Sequence, residues 1–480
     1  MHQSSSKPNL LFVLPDEFRR DAIGCMKKDP VHTPNIDRFV SESMDFPNAV
    51  STYPVCSPYR GQLFTGCYPF TNGVVGNCNT STAPFGVYLT SRKVCLSDLF
   101  HEAGYDCGYV GKWHLSAPEP KDFPYLEPRR EDGKVWDAYT PVSQRHHFRF
   151  WYSYGCNDQH FHPHYWFNDD AADQVRQVDE WAPRHEADMV IRYLENEHGA
   201  MRDPDKPFLL FWAPNPPHMP FDQVPEEYQT PYEGKEAEDL LTNPNARAGC
   251  TPPPAYDFAG KNYPALHETA RDSVKHYFSC VTGIDDQFGR ILKTLEETGL
   301  KDNTIVIFTS DHGELMGSHS LMYKGEWYRE CYQVPFFLRW PGHIPAHSTC
   351  RAFLNPPDIM PTLLDLCGLS SLIPASIEGV SRAGWIRASM DSSSGDLQTS
   401  MDPGEGFYNN PQMNARGVCN EQYMLVVFRD RYDRETCLLY DQINDPCQLH
   451  DCASSHPEVV KQMRLRLDDW LRRTNDLWIR

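Results

Sequence analysis

The sequence predicts an α/β fold: a large mixed, mostly parallel sheet flanked by helices, followed by a small C-terminal α+β subdomain with an antiparallel sheet. Three observations predict it. Short β-branched or apolar runs alternate with helix-period segments, the pattern of a largely parallel sheet. Several of those runs end in charged residues, and the carboxyl edge of an open parallel sheet is where ligands bind. Beyond a Ser/Gly/Pro/Asp-rich stretch over 391–411 the pattern changes to runs that read as antiparallel strands and a closing helix. At 480 residues the chain can bury a large core and divide. The division is placed between a main domain, 1–390, and a C-terminal subdomain, 391–480.

Taken in order, the apolar run at 10–14 reads as a buried first strand. T-P-N-I-D-R-F-V-S-E-S opens a helix with Thr33 as N-cap, Pro34 at the first position, and Ile36, Phe39 and Val40 on one face. Ser57-Pro58 looks like a second helix entry, with proline at the first helical position. It puts Cys56 at the positive end of the helix and Arg60 one turn on. Strands follow at 107–110 and 207–213. An amphipathic helix from about Thr269 to Glu297 points Val274, Phe278, Val281, Ile284, Phe288 and Ile291 inward. The run T-I-V-I-F-T at 304–309 is a buried strand. In the tail, 423–428 and 436–440 read as antiparallel strands, and a helix from near Pro457 carries Val460, Met463, Leu467 and Trp470.

Composition narrows the function. The net charge is −20, from 45 Lys+Arg against 65 Asp+Glu, which disfavours a nucleic-acid partner or a membrane-surface role. The 16 cysteines show neither a disulfide framework nor a paired C-x-x-C zinc pattern and lean toward a reducing compartment. The apolar run near the N-terminus is too short for a signal peptide or a membrane span. The expectation is a cytoplasmic protein, or a periplasmic or secreted one if a leader has been removed.

Chemistry collects at the strand ends. The first strand runs into Asp16 and Glu17. The strand at 107 leads to Lys112 and His114, that at 207 to His218, and that at 304 to Asp311 and His312. Singly, each has a plain structural explanation, as a helix cap or a hydrogen-bonded histidine. Four such ends together with Cys56 supply carboxylates for a hard cation and lysines and histidines for a tetrahedral anion.

These residues carry a resemblance. C-S-P-Y-R at Cys56, followed by L-F-T-G, is similar to the C-x-P-x-R signature of the type I (formylglycine-dependent) sulfatases, of the alkaline phosphatase superfamily. T-P-N-I-D-R-F at Thr33, G-K-W-H-L at Gly111, P-H-M-P at Pro217, S-D-H-G-E at Ser310, Y-K-G-E-W-Y at Tyr323 and P-T-L-L-D-L-C-G-L at Pro361 fall in that family's order, and L-Y-D-Q-I-N-D-P resembles its C-terminal subdomain. The resemblance covers nearly the whole chain. It implies an alkaline phosphatase-like fold, with a sulfatase catalytic domain over 1–390. It further implies that Cys56 is oxidised to Cα-formylglycine (3-oxoalanine) by a formylglycine-generating or anaerobic sulfatase-maturating enzyme. Asp16, Asp311 and His312, with an oxygen of modified Cys56, then resemble the ligands of one Ca²⁺, with Mg²⁺ as the alternative. Glu17 stands where the family has Asp or Gln, which leaves its ligation open. Arg60 and Lys112 would stabilise the modified side chain and His114 would act on it as a base. His218 and Lys324 would hold the sulfate, one of them protonating the leaving oxygen.

The function implied is hydrolysis of a sulfate ester, on a sulfated carbohydrate. The alternatives are a phosphonate monoester or phosphodiester hydrolase of the same superfamily, and a binding protein with a dead sulfatase-like site. Between His114 and His218 lies a stretch rich in aromatics and histidine. In one reading it is a sugar pocket in which Trp151 or Trp166 stacks on the ring and His162 or His164 bonds its hydroxyls. In the other it is a loop packed by its own aromatics. H-x-H-x-H at His160 could also suggest zinc, but no acid or cysteine cluster accompanies it in sequence.

Overall fold

The computed structural model describes residues 7–119, 133–247, 249–250, 263–390 and 401–479. Ten strands build the main sheet: β1 (Asn9–Val13), β2 (Met44–Asp45), β3 (Asp106–Lys112), β4 (Phe150–Tyr154), β5 (His164–Phe167), β6 (Arg176–Gln177), β7 (Phe208–Ala213), β8 (Thr304–Thr309), β9 (Phe336–Arg339) and β10 (Ser348–Thr349). Their order is β10-β2-β9-β8-β1-β7-β3-β4-β5-β6. The central five, β8-β1-β7-β3-β4, run parallel, and β9, β5 and β6 add antiparallel pairs at the flanks. The predicted mixed, mostly parallel sheet is therefore present.

Alternation explains why β1 is apolar throughout. Leu10 and Phe12 enter one core and Leu11 and Val13 the other, so both faces are covered. The Cys56–Thr65 helix lies on the first face, through Tyr59, Leu63 and Phe64. The second face is covered by the 35-residue Tyr263–Glu297 helix, through Val274, Phe278, Val281, Ile284, Phe288 and Ile291. Among the described residues no helix is long and apolar enough to cross a membrane.

The Pro34–Ser41 helix forms where expected, but Thr33 does not cap it with its side chain. Thr33 Oγ1 is spent on the Gly24 N–H and on Asp37 Oδ1 instead. The cap comes from a distant helix: Asp285 accepts the N–H groups of Asn35 (3.2 Å) and Ile36 (2.6 Å). Gly289 makes that approach possible, since a Cβ there would lie 2.5 Å from Asn35. Asp285→Ala is expected to cost about 1–3 kcal/mol, a lost cap plus orphaned N–H groups. Chemical denaturation of the variant checks this, and an unchanged midpoint would refute the tertiary cap.

Glu186, on the Ala182–Glu195 helix, lies beneath β7 and β5. It accepts from Tyr165 Oη at 3.0 Å and Trp212 Nε1 at 3.3 Å. Full burial pushes its carboxyl up to about 8. Because the folded value is raised, the unfolded chain releases this proton first. Stability is thus fully present below the ordinary glutamate range and falls as pH rises toward 8, by a few kcal/mol on this group alone. Glu186→Gln should lose about 1 kcal/mol at pH 5, because its NH₂ cannot accept both donors. It should then show a flatter decline in melting temperature from pH 5 to 9 than the parent.

The tail carries a four-stranded antiparallel sheet, β11 (Gly406–Asn410), β12 (Ala415–Cys419), β13 (Tyr423–Arg429) and β14 (Glu435–Asp441), in sequential order. β11 corrects the expectation of a loop extending through 411. G-F-Y-N-N has little intrinsic strand preference, and partners supply what propensity does not. It pairs with β12, and Tyr408 Oη and Asn410 Nδ2 both donate to Gly325 O. One face of this sheet packs on Leu315, Leu321, Trp327 and Tyr332 of the main domain, and the other is covered by the Pro457–Arg473 helix through Met463, Leu467 and Trp470. The division drawn at 390/391 adjoins 391–400, which lie outside the described residues.

Candidate active site

The Cys56–Thr65 helix begins two residues earlier than the proline suggested. Val55 is its N-cap, Cys56 its first residue and Pro58 its third, a position whose N–H would be unpaired in any case. Ser57 fixes this end. Its N–H donates to Asn77 Oδ1 (3.0 Å) and its hydroxyl to the His114 carbonyl (2.6 Å), tying the helix start to the exit of β3. Cys56 and Arg60 are both buried.

Four side chains from three segments converge there: Asp16 after β1, Cys56, and Asp311 and His312 after β8. Cys56 Sγ lies 3.5 Å from Asp16 Oδ1 and 3.4 Å from His312 Nε2. His312 Nε2 is 3.6 Å from Asp16 Oδ1 and 3.7 Å from Asp311 Oδ1. His312 Nδ1 donates to the Gly313 carbonyl (2.9 Å), so Nε2 is the bare nitrogen. Neighbouring oxygens around a calcium ion with bonds of about 2.4 Å stand roughly 3.4 Å apart, so these spacings suit a shared hard cation. The sulfur of Cys56 marks where an oxygen of a modified residue 56 would stand.

Three cations surround these anions. Arg60 Nε donates to Asp311 Oδ2 (3.1 Å), one terminal nitrogen to Asp16 Oδ2 (3.2 Å) and the other to the Lys112 carbonyl (2.6 Å). Lys112 Nζ lies 2.8 Å from Asp16 Oδ2 and 3.8 Å from Cys56 Sγ, and donates to Asn215 Oδ1 at 2.8 Å. Lys324 Nζ lies 3.1 Å from Glu17 Oε2. Burial alone would raise the Asp16 carboxyl, but Lys112, His218, Lys324 and His312 hold it well below the usual range. Burial and the Asp16 charge push Asp311 up, and the same two causes raise the Cys56 thiol. Burial drives His114 down, and burial with Lys324 and Lys112 drives His218 well down, so both rings rest neutral.

His114 has a left-handed backbone (φ 52°), and its buried ring stands beside Cys56, close enough for the two groups to influence each other's charge. Its Nε2 lies 3.2 Å from the Cys78 carbonyl, so the proton sits there and Nδ1 is the basic nitrogen. Glu17 stands outside the Asp16–Cys56–Asp311–His312 group but next to it. From a left-handed backbone (φ 64°) its longer side chain ends 3.5 Å from His218 Nε2 and beside Lys324, and with Asp16 and His218 it makes a second, adjoining group that could hold a metal.

The four expected substrate residues do not form a pocket. Trp151 is buried against Tyr109, Trp113 and Phe148, and Trp166 is buried with its Nε1 donating to the Ala172 carbonyl, so neither presents a ring face. These are core residues because β4 and β5 pair and both their faces are covered. The H-x-H-x-H histidines diverge. His160 meets Asn215, His162 reaches solvent beside Asp179, and His164 is buried at 2.6 Å from Asp137. Sequence reasoning missed Asn215 and Asp137. Asn215 stood in the N-P-P-H-M-P segment, but only the parallel pairing of β3 with β7 brings it to Lys112.

Comparison with known proteins agrees with this geometry. The family model described as Sulfatase matches residues 8–369, and the model of the N-sulphoglucosamine sulphohydrolase C-terminal region matches 317–473. The chain is 38% identical to an endo-4-O-sulfatase of Bacteroides thetaiotaomicron, over 99% of this chain and 94% of that protein. It is 30% identical to an ulvan-active sulfatase of Formosa agariphila, over 92% and 76%. A solved Bacteroides thetaiotaomicron structure from work on glycosaminoglycan metabolism superposes with a TM-score of 0.86 at 36% identity, over 98% of each chain. A phosphonate monoester hydrolase of Agrobacterium radiobacter, at 22% identity and a TM-score of 0.68, shares the fold. With the signature, the converging buried side chains and these matches in one register, the chain belongs to the sulfatase family and is a sulfuric ester hydrolase.

Proposed function

We propose that this sulfatase hydrolyses a sulfate ester on a sulfated carbohydrate, with Cys56 matured to formylglycine and one divalent cation, Ca²⁺, held by Asp16, Asp311, His312 and residue 56. The observation that carries the reading is the buried group Asp16–Cys56–Asp311–His312 ringed by Arg60, Lys112 and Lys324. The endo-4-O-sulfatase and ulvan-active sulfatase among the relatives support a sugar sulfate as substrate. When present, the cation neutralises charge on the sulfate oxygens and the aldehyde hydrate supplies two hydroxyls, one to attack sulfur and one to expel sulfate.

The chain's own residues do the rest. Arg60 holds Asp16 and Asp311 apart and oriented, with the planar, bidentate geometry that lysine lacks. Lys112 adds fixed positive charge beside residue 56, where negative charge develops. His114 Nδ1 takes a proton from residue 56, and the Cys78 carbonyl keeps the other nitrogen protonated. Lys324 and His218 face the sulfate. Burial, with the charges of Lys324 and Lys112, keeps His218 neutral; an arriving anion offsets the lysine part and so favours its protonation, which prepares a proton for the leaving oxygen. Of the four aromatic and histidine candidates, His162 alone is exposed and available to a glycan.

The test is a screen of sulfated mono- and disaccharides against phosphonate monoesters, with the mass of the Cys56 peptide measured in parallel. Higher kcat/KM on a sulfated sugar with an aldehyde at residue 56 supports the reading. Preference for phosphonates, or an unmodified and inert protein from a host with maturase, overturns it. Elemental analysis should find one divalent cation, and chelation should lower the melting temperature, with calcium restoring it. Two zinc ions per chain would refute this site.

A further inference from the structure

We infer that Asp137, His164, Asn157 and Asn215 form a buried relay of positioning residues that sets Lys112 and His114 against residue 56. The inference rests on the reading above, in which Lys112 and His114 act at that residue.

Asp137 is fully buried, and one of its oxygens accepts three backbone N–H groups, from Ala138 (2.9 Å), Gly155 (2.7 Å) and Cys156 (2.9 Å). Its other oxygen lies 2.6 Å from His164 Nε2. A carboxylate that braces three loop amides and a buried ring is more than a turn residue, because the loop it holds feeds the site twice. Gly155 O accepts the His114 N–H at 2.9 Å, which fixes the strained backbone that aims that ring. Asn157 O accepts from Asn215 Nδ2 at 3.0 Å, and Asn215 Oδ1 accepts from Lys112 Nζ at 2.8 Å.

The protons along this path are determined by elimination. Asn157 Oδ1 accepts the Gln159 N–H, so its Nδ2 faces His164 Nδ1, 2.9 Å away. His164 Nδ1 is therefore an acceptor and its proton is on Nε2, the nitrogen that lies 2.6 Å from Asp137 Oδ2 in a close polar contact that is not an aligned hydrogen bond. Asn215 Oδ1 is occupied by an ammonium donor, which orients its amide nitrogen toward Asn157 O. Each amide has one orientation, and the lysine is held to one position by a chain that ends in a buried charge. Glycine at 155 is required by the same packing, since a Cβ there would lie 2.4 Å from the Ala138 nitrogen.

The experiment compares His164→Gln, His164→Asn, Asn215→Leu and the double variant His164→Asn/Asn215→Leu, each normalised to folded protein carrying the aldehyde at residue 56. Gln keeps a donor for Asp137, and Asn keeps only an acceptor for Asn157. His164→Asn and Asn215→Leu are expected to lower kcat about 10–100-fold with KM changed less than about threefold, and to shift the pH profile of kcat. Gln should recover much of the loss. The double variant should be little worse than the worse single one, since both cut one chain. Crystal structures of the variants should show Lys112 Nζ displaced from Asp16, a readout that needs no turnover and so stands even if the parent proves inactive on sulfated sugars. Additive losses, unchanged kcat per aldehyde-bearing site, or Lys112 unmoved in Asn215→Leu would overturn the inference.

Discussion

Cys56→Ser is expected to abolish multiple turnover, by a factor on the order of 10⁴ or more, while the protein folds and binds sulfated substrate. The reason lies in what serine keeps and what it lacks. Cys56 is the first residue of a helix whose start is fixed by Ser57, through Asn77 and the His114 carbonyl, and not by the thiol. A hydroxyl is smaller than a thiol, so the buried pocket accepts it. Lys112, His114, His218 and Lys324 hold their places through Asn215, Cys78, Met219 and Glu17, none of which depends on residue 56. Affinity should therefore persist. A single hydroxyl can take sulfate from the substrate but has no second oxygen with which to expel it, so at most one turnover occurs. Calorimetry with substrate, and mass spectrometry of the residue 56 peptide after incubation, measure both halves. Sustained turnover by protein with a verified, unmodified serine would mean that residue 56 is not the source of the nucleophile.

Arg60→Leu is expected to be the most damaging single change to stability near the site. The guanidinium is fully buried and bridges Asp16 and Asp311, which are buried too. Deleting it strands two carboxylates, of which only Asp16 retains a lysine, Lys112, at 2.8 Å. Breaking a buried pair in this way costs about 3–5 kcal/mol, because the survivors keep their desolvation penalty and lose its compensation. A bound divalent cation partly replaces the missing charge, so the loss should be larger in chelator than in calcium. Arg60→Lys should recover part of the stability and little of the activity, since one ammonium cannot reach both acids and the Lys112 carbonyl together. Denaturation with and without calcium tests this. Equal destabilisation under both conditions would argue against a cation between those carboxylates.

His162→Ala provides the contrast. Its ring is exposed and its ion pair with Asp179 is a surface pair, so stability should change by less than about 0.5 kcal/mol. A selective loss on a glycan, with none on a small aryl sulfate, would identify it as a contact to the sugar.

Much of this protein was legible in the chain by itself. Strand β8 was bounded correctly because T-I-V-I-F-T is β-branched and apolar on both faces, as a doubly covered strand must be. Asp16, Lys112, His218 and Asp311 were found because each lies just past such a run, and the parallel order carries those ends to one edge of the sheet. What the sequence could not show was which neighbour satisfies a polar group when that neighbour lies far along the chain. Thr33 looked like a cap, yet Asp285 does the capping across 250 residues. β11 looked like a loop, yet pairing with β12 and the Gly325 carbonyl makes it a strand. Trp151 and Trp166 left a sugar platform and an aromatic packing both open, because an aromatic's local sequence is the same whether its ring meets solvent or core; burial, which depends on the strands beside it, decides for packing. Local propensity, period and motif spacing are properties of neighbours in sequence. Caps, burial, tautomers and the aim of Lys112 and His114 are properties of neighbours in space, so only the tertiary structure could decide them.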